Sequence, residues 1–574
     1  MIHFADSHGC EHDVKRENAW RFRDYVIQRL NIDIPWGRFI REQLAADVFF
    51  PDEPQLTAAL GFIAAGPLEL SRAGTAPVTF DYLDRDDIVT QTMGAFVSTT
   101  ANCARCHSHK FDPISQEDYY GLQAVFAGVG KGDIEFDPSA AIMNQRRKLE
   151  EVISAAAGQN AAVLLKPEYA AVVREWELTQ ARNPATWDVL TPEVFLSSGG
   201  ATLTRQEDNS LFATGKMVDT EIYTVTSSVD LKKLTAVRVE ALKDERLPMG
   251  GPGRAENGNL HLTDVQLTWF PANSDQAVSL KIARASADFD QDGWTAPQSI
   301  DDDLRSAWAI FPRVNESHEI VFELAEPVDT SAGGKLAVTL KQLWPPRHYI
   351  GRLRLSVTDA EDGAAQILPA AAATGLQKPS AERNEAEKAA IAAVALEGWA
   401  KKELAALPAK QTVYGVSASW SHAKKLAAPQ KPKVVHLLRR GDIEQPVREV
   451  GPGALSALGL PFWLDDPNKE SSRRAALAGW IASPDNPLTW RSIVNRVWHH
   501  HFGRGICETP NDFGRMGAEP SNPQLLDWLA VWFRDDAKGS LKELHYLILT
   551  SQTWKQAAES RRTRLDAGMF RDAA

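Results

Sequence analysis

The chain has 574 residues, 44% apolar and 24% charged, the balance of a globular protein with about three domains. Its net charge of −12 disfavours nucleic acid as a partner, because phosphate binding needs a basic face, and gives no reason to expect an anionic membrane partner. No apolar run approaches the ~18 residues of a membrane span, and Met1-Ile2-His3-Phe4-Ala5-Asp6 lacks the basic-then-apolar order of a signal peptide.

Residues 1–135 read as a helical domain. Ala19, Phe22, Val26 and Leu30 fall on one helical stripe, and Asp33 precedes a second helix from Phe39 to Val48. A third helix is expected to start near Asp87. It would run through Ile88, Met93, Phe96 and Val97 into Cys103-Ala104-Arg105-Cys106-His107, placing that segment at a junction of two helices. Ser115 and Asp118 form a capping-box pattern for the next helix, with Tyr119, Leu122, Val125 and Phe126 inward and Gly128 and Gly130 at its end. Residues 136–184 form a charged helical spacer. In 185–360 the period changes to that of strands: Glu221 to Val225, Ala236 to Val239, His261 to Trp269, Ser279 to Ala285, Glu319 to Leu324, Lys335 to Leu340 and Arg352 to Val357. Eight or nine such strands argue for a β-sandwich or jelly roll. Residues 361–411, rich in Ala, Glu and Lys, form a helical linker. Residues 412–574 are mainly helical, with Ile493, Val494, Val497, Trp498 and His501 on one face and Leu526, Leu529, Trp532 and Phe533 on another. The expected fold class is multidomain α plus β: two mainly helical domains separated by an antiparallel β-sandwich.

Cys103-x-x-Cys106-His107 has the spacing that attaches a c-type haem. Two thiols one turn apart form the thioethers, and His107 is the proximal ligand of the iron. With four cysteines and 14 histidines in the chain, chance would place such a motif in roughly one chain in a thousand. The alternative metal reading is zinc on Cys103, Cys106 and His109 with a fourth ligand from elsewhere. The plain reading is a disulfide or a pair of buried thiols. A second axial ligand would come from His8, His12, His109, His500, His501 or Met516. His109 is too close to His107 to reach the opposite face, and His501 lies on an apolar stripe. His500, just off that stripe, is the distal ligand expected. Cys10 and Cys507 are expected to be free and buried.

Other clusters carry paired readings. Asp6, His8, His12 and Asp13 offer a metal or acid–base group, or a solvated chain start. Asn511-Asp512-Phe513-Gly514 is a tight turn, or it aims Asp512 into a cleft beside His500. Trp269, Trp294, Trp308 and Trp344 stack on sugar rings or pack the sandwich, with Asp301, Asp302, Asp303 and Arg305 as hydroxyl-binding candidates. The Lys/Glu run near 380–403 reads as a solvated helix face.

Three sets of strings carry a resemblance. The first is Phe4-Ala5-Asp6, Asn18-Ala19-Trp20-Arg21 and Glu42-Gln43-Leu44-Ala45. The second runs from Cys103 through His109-Lys110-Phe111-Asp112-Pro113 to Ile114. The third is Val494-Asn495-Arg496-Val497-Trp498, His500 to Gly505, and Asn511 to Gly517. Together they resemble the planctomycete-type surface cytochrome c proteins, which carry a separate cytochrome domain and paired domains of unknown function. In many relatives these domains flank a β-sandwich of carbohydrate-binding type. The resemblance covers roughly 1–130 and 410–574, and the middle is similar to a galactose-binding-like sandwich at Gly251 to Val265 and Ile300 to Ile310. It implies export to the periplasm or cell surface, haem c on Cys103, Cys106 and His107, and polysaccharide and a redox protein as partners. It supplies no enzymatic activity. The family's export signal and separate cytochrome domain are not seen, so the chain reads as a fragment of a longer parent. The expected function is an exported c-type haem redox protein acting at or near polysaccharide, by electron transfer or oxidant chemistry. The alternative is a non-catalytic glycan-binding surface module with a structural zinc or disulfide at the C-x-x-C. A hydrolase using Asp512, His500 or the Asp6/His8 cluster ranks last, since no nucleophile elbow, P-loop or H-E-x-x-H is present.

Overall fold

The computed structural model describes residues 4–10, 13–70, 76–182, 185–274, 276–360, 365–417, 429 and 431–556. The chain divides into two compact units, one of Met1–Gln145 with Pro408–Ala574 and one of Arg146–Leu407.

The first unit opens with helices α1 (Trp20–Asn31) and α2 (Trp36–Phe49). Helix α3 (Pro77–Val97) begins well before Asp87, because Pro77 stands at a first-turn position where its missing N–H costs nothing. Helix α4 (Gln116–Val125) carries the capping box, with the Ser115 side chain accepting from the Asp118 N–H. Strand β1 (Gly130–Phe136) follows. After the intervening second unit come β2 (Gln411–Ser417), β3 (Val435–Leu438) and β4 (Pro446–Val450). Helices α5 (Glu470–Ile481), α6 (Pro487–Phe502), α7 (Pro523–Asp535) and α8 (Leu541–Thr550) complete the described part.

The two helical stretches, expected as separate domains, pack as one unit. Phe22, Ile40, Phe96 and Tyr120 share a single core with Leu477, Val494, Phe533 and Leu544. Strands β1 and β2 pair antiparallel from Gly130↔Ser417 to Phe136↔Gln411, closing the unit at the point where the second is inserted. Buried polar groups tie the same seam. Arg474 on α5 donates to the Leu44 carbonyl (2.7 Å) and to Asp47 on α2 (2.8 and 3.0 Å), and it pairs with Glu470. Arg496 on α6 donates to the Gly94 and Ala95 carbonyls at the end of α3, which have no helical partner of their own.

The second unit holds the sandwich. One sheet orders Val278–Leu280, Asp264–Pro271, Gly334–Gln342, Glu221–Ser228 and Val194–Ser197. The other orders Ile282–Ala287, His318–Asp329, Lys233–Ala241, Arg352–Thr358, Leu211–Gly215 and Ala201–Arg205, with Asp188–Val189 also beside Arg352–Thr358. The pairs are antiparallel, and the alternating inward residues form one core with Tyr223, Val239, Phe322, Val338 and Leu355. The expected linker is more than a spacer. Helix Glu385–Ala406 buries Ala392, Leu396 and Ala400 against Leu149, Val152 and Tyr169, leaving Lys388 and Lys401 on its solvated face.

Candidate functional site

Helix α3 stops at Val97 because Ser98 turns left-handed (φ 50°). Cys103 therefore lies on a short 3-10 turn, Ala101–Arg105, between α3 and α4, and Cys106 caps the end of that turn. Both are exposed and free, while Ala101 and Ala104 face the core. The turn is clamped from beneath: the Arg105 carbonyl accepts from Gln116 Nε2 (2.9 Å) and Tyr120 OH (3.0 Å), and Gln116 also donates to the Leu438 carbonyl (2.8 Å). Gly441, at φ 73°, packs against Cys106, and a Cβ there would lie 3.0 Å from the sulfur. His107 is exposed, with Nδ1 2.7 Å from the Ser108 carbonyl. A carbonyl only accepts, so Nδ1 is the ring nitrogen that donates in this contact.

His109 has a different job. The backbone N–H groups of Asp112 (2.9 Å) and Phe111 (3.3 Å) donate to its Nδ1, and Nε2 lies 3.4 Å from Thr100 Oγ1. It staples the loop that follows the motif through Nδ1. Among the described residues no group of three or more His, Cys, Asp or Glu is placed to hold a metal ion.

His500 is exposed on α6, one turn beyond Arg496, with its ring 5.8 Å from that of His499. Burial and the neighbouring His499 lower its pKa. His501 is half-buried, its Nε2 2.7 Å from His545 Nδ1 and its ring edge-on to Trp554, a satisfied structural histidine. Met516 is exposed on a loop. His8 is buried beside the Tyr414 ring, and Asp13 accepts the Gly9 N–H at 2.8 Å. Asp6 is exposed, and His12 lies outside the described residues. Asp512 serves the turn: its Oδ1 accepts the Gly514 N–H at 2.8 Å. Cys507 is buried, with its N–H and carbonyl both bonded to the Asn495 side chain, whereas Cys10 is only half-buried.

The strings around Asp112 and Gly514 meet. Asp112 Oδ1 accepts the Arg515 N–H at 2.6 Å, and a side chain at Gly514 would overlap the Asp112 carboxylate. Beside this junction lies a cavity of about 600 Å³. Neither Cys103, Cys106, His107 nor His500 lines it. Sequence reasoning missed it because its walls come from segments hundreds of residues apart.

In the sandwich, Trp269 and Trp308 are core, with Trp308 Nε1 donating to the Phe289 carbonyl at 2.9 Å. Trp294 and Trp344 are half-buried and meet edge-to-face at 4.6 Å. The His261 ring is stacked between Trp294 (4.7 Å) and His348 (4.6 Å). Nothing in the sequence pattern singled out these two histidines. Asp303 pairs with Arg305 at 2.9 Å, and Asp301 accepts from Ser306 Oγ, so these groups close their own turn; Asp302 stands there with φ 63°.

No curated protein matches the chain. Residues 1–131 match the family model PSCyt2, a protein of unknown function (DUF1549). Residues 473–571 match PSD1, a protein of unknown function (DUF1553). Both matched segments contribute to the single core of the first unit. The two ends of the chain are thus similar to two family models of unknown function, PSCyt2 and PSD1.

Proposed function

We propose that Cys103 and Cys106 carry a covalently attached haem c, with His107 Nε2 as an iron ligand, in an exported redox protein working at or near polysaccharide. One observation carries the reading: two free, exposed thiols three residues apart at a clamped turn, next to an imidazole whose Nδ1 lies 2.7 Å from a carbonyl. When bound, haem would supply electron transfer or oxidant chemistry. The residues of this chain anchor and orient it. The thiols would form the thioethers, Gln116 and Tyr120 hold the turn still, and the Ser108 carbonyl aims the imidazole. His500 would be the second residue to hold the iron on this reading. No helix among the described residues is long and apolar enough to cross a membrane. The proposed location is the periplasm or cell surface, with a redox protein as partner.

The test is export of the chain in a host with haem-c maturation, followed by reduced-minus-oxidised spectra. A c-type spectrum lost on Cys103→Ala with Cys106→Ala supports attachment. A colourless wild type with one zinc per chain supports the alternative of a structural zinc clip.

The half-buried pair Trp294 and Trp344 supports glycan binding by the sandwich, because aromatic faces suit the apolar faces of sugar rings. Retention on a glycan array by wild type, lost on Trp294→Ala with Trp344→Ala, is the expected result. Equal retention by both proteins would return the pair to a packing role.

A further inference from the structure

The cavity beside Asp112 belongs to none of the groups above. At about 600 Å³ it falls within the roughly 300–1,000 Å³ of small-molecule sites. Its apolar surface comes from Ile114, Leu455, Leu458, Leu488 and Phe513.

Hydrogen bonds hold each wall in place without a ligand. Phe513 N–H donates to the Ser98 carbonyl (2.9 Å), and Arg515 N–H donates to Asp112 Oδ1 (2.6 Å). Ser456 N–H donates to Asp118 Oδ1 at 3.0 Å, fixing the Leu455–Leu458 side. Thr509 Oγ1 donates to the Asp512 carbonyl (2.7 Å) and accepts the Ala518 N–H (2.9 Å). A side chain at Gly517 would overlap the Asp512 carbonyl, so this loop has one packed conformation. A preformed cavity loses little ordering entropy when it binds.

One cation stands on the lining. Arg515 is exposed, and it makes no ion pair among the described residues, not even with Glu519 four residues on. Asp112 is already committed to the Arg515 N–H and lies 3.4 Å from His109 Nδ1. The guanidinium fork is suited to a carboxylate or sulfonate.

We infer that this cavity binds a small amphipathic organic anion. Its apolar body rests on Ile114, Leu455, Leu458, Leu488 and Phe513, and its acid group is held by Arg515. None of the lining residues belongs to the C-x-x-C-H, so this site and the haem reading fail or succeed separately.

The probe is 8-anilinonaphthalene-1-sulfonate, an apolar aromatic body with one anionic group, titrated into the full chain and followed by fluorescence. Saturable binding of one dye per chain is expected. Arg515→Gln should weaken it roughly tenfold, the worth of a charge-assisted hydrogen bond, with Arg515→Lys between the two. Leu458→Trp should fill the cavity and abolish binding. If that variant melts early, Ala457→Trp at the exposed rim provides the same block. Absence of saturable binding overturns the inference, as does binding undiminished by either block. Loss on Glu519→Gln with no change on Arg515→Gln also overturns it, since that pattern belongs to a cation site.

Discussion

His261 illustrates what a single residue owes to its surroundings. Burial, and secondarily His348, lower its pKa to about 4. The folded state therefore holds it neutral, while the unfolded chain takes up the proton below pH ~6.5. Its contribution is complete above that pH and is lost as pH falls towards 4, to a limit of roughly 3 kcal/mol. Urea unfolding of wild type and His261→Gln at pH 7.5 and 4.5 checks this. The wild type should lose more stability on acidification than the variant, and equal losses would contradict the assignment. The tryptophans divide in the same way. Trp308→Ala should cost about 3–5 kcal/mol as a core truncation, and Trp344→Ala markedly less, measured by the shift in denaturation midpoint. The C-x-x-C-H was legible in the sequence because its chemistry is local. The division of the four tryptophans was not, because strand alternation does not say which end of a sandwich a loop residue reaches. His261 and His348 were invisible for a related reason: three segments well apart in sequence bring their column together.

Among the elements, the pairing of α5 with α2 rests on one buried cation. Arg474 is 2% exposed and holds Asp47, Glu470 and the Leu44 carbonyl at once. Arg474→Met leaves two carboxylates facing a buried, uncharged side chain and should destabilise the protein by about 3–5 kcal/mol. A change under 1 kcal/mol in equilibrium unfolding would show that solvent repairs the site. Helix existence was readable from the stripe of α1, the capping box of α4 and the apolar face of α7, which all express the 3.6-residue period. Strands in the sandwich were readable from alternation. The start of α3 was misjudged because its first turns carry Asp81, Asp84 and Asp86 and no clean apolar stripe. Strand β1 has no local signal because its sheet partner, β2, lies beyond the whole second unit in the chain.

At the scale of the molecule, the paired-domain segments are two parts of one folding unit. Phe96 and Tyr120 bury against the same core as Val494 and Phe533, so either part alone would expose a large apolar face. Residues 1–145 expressed alone should lack cooperative unfolding, whereas 146–407, with its own core, should melt as a unit; circular dichroism on both pieces decides this. The Asp112–Arg515 junction and the cavity beside it exist only because those parts come together. The central claim remains the covalent cofactor on the clamped turn. Its most direct test is the intact mass of the exported chain after denaturation, when only covalent attachments survive. The expected mass is raised by one haem, an increase that disappears in Cys103→Ala with Cys106→Ala. The bare polypeptide mass in the wild type, from cells that mature other c-type cytochromes, would contradict it.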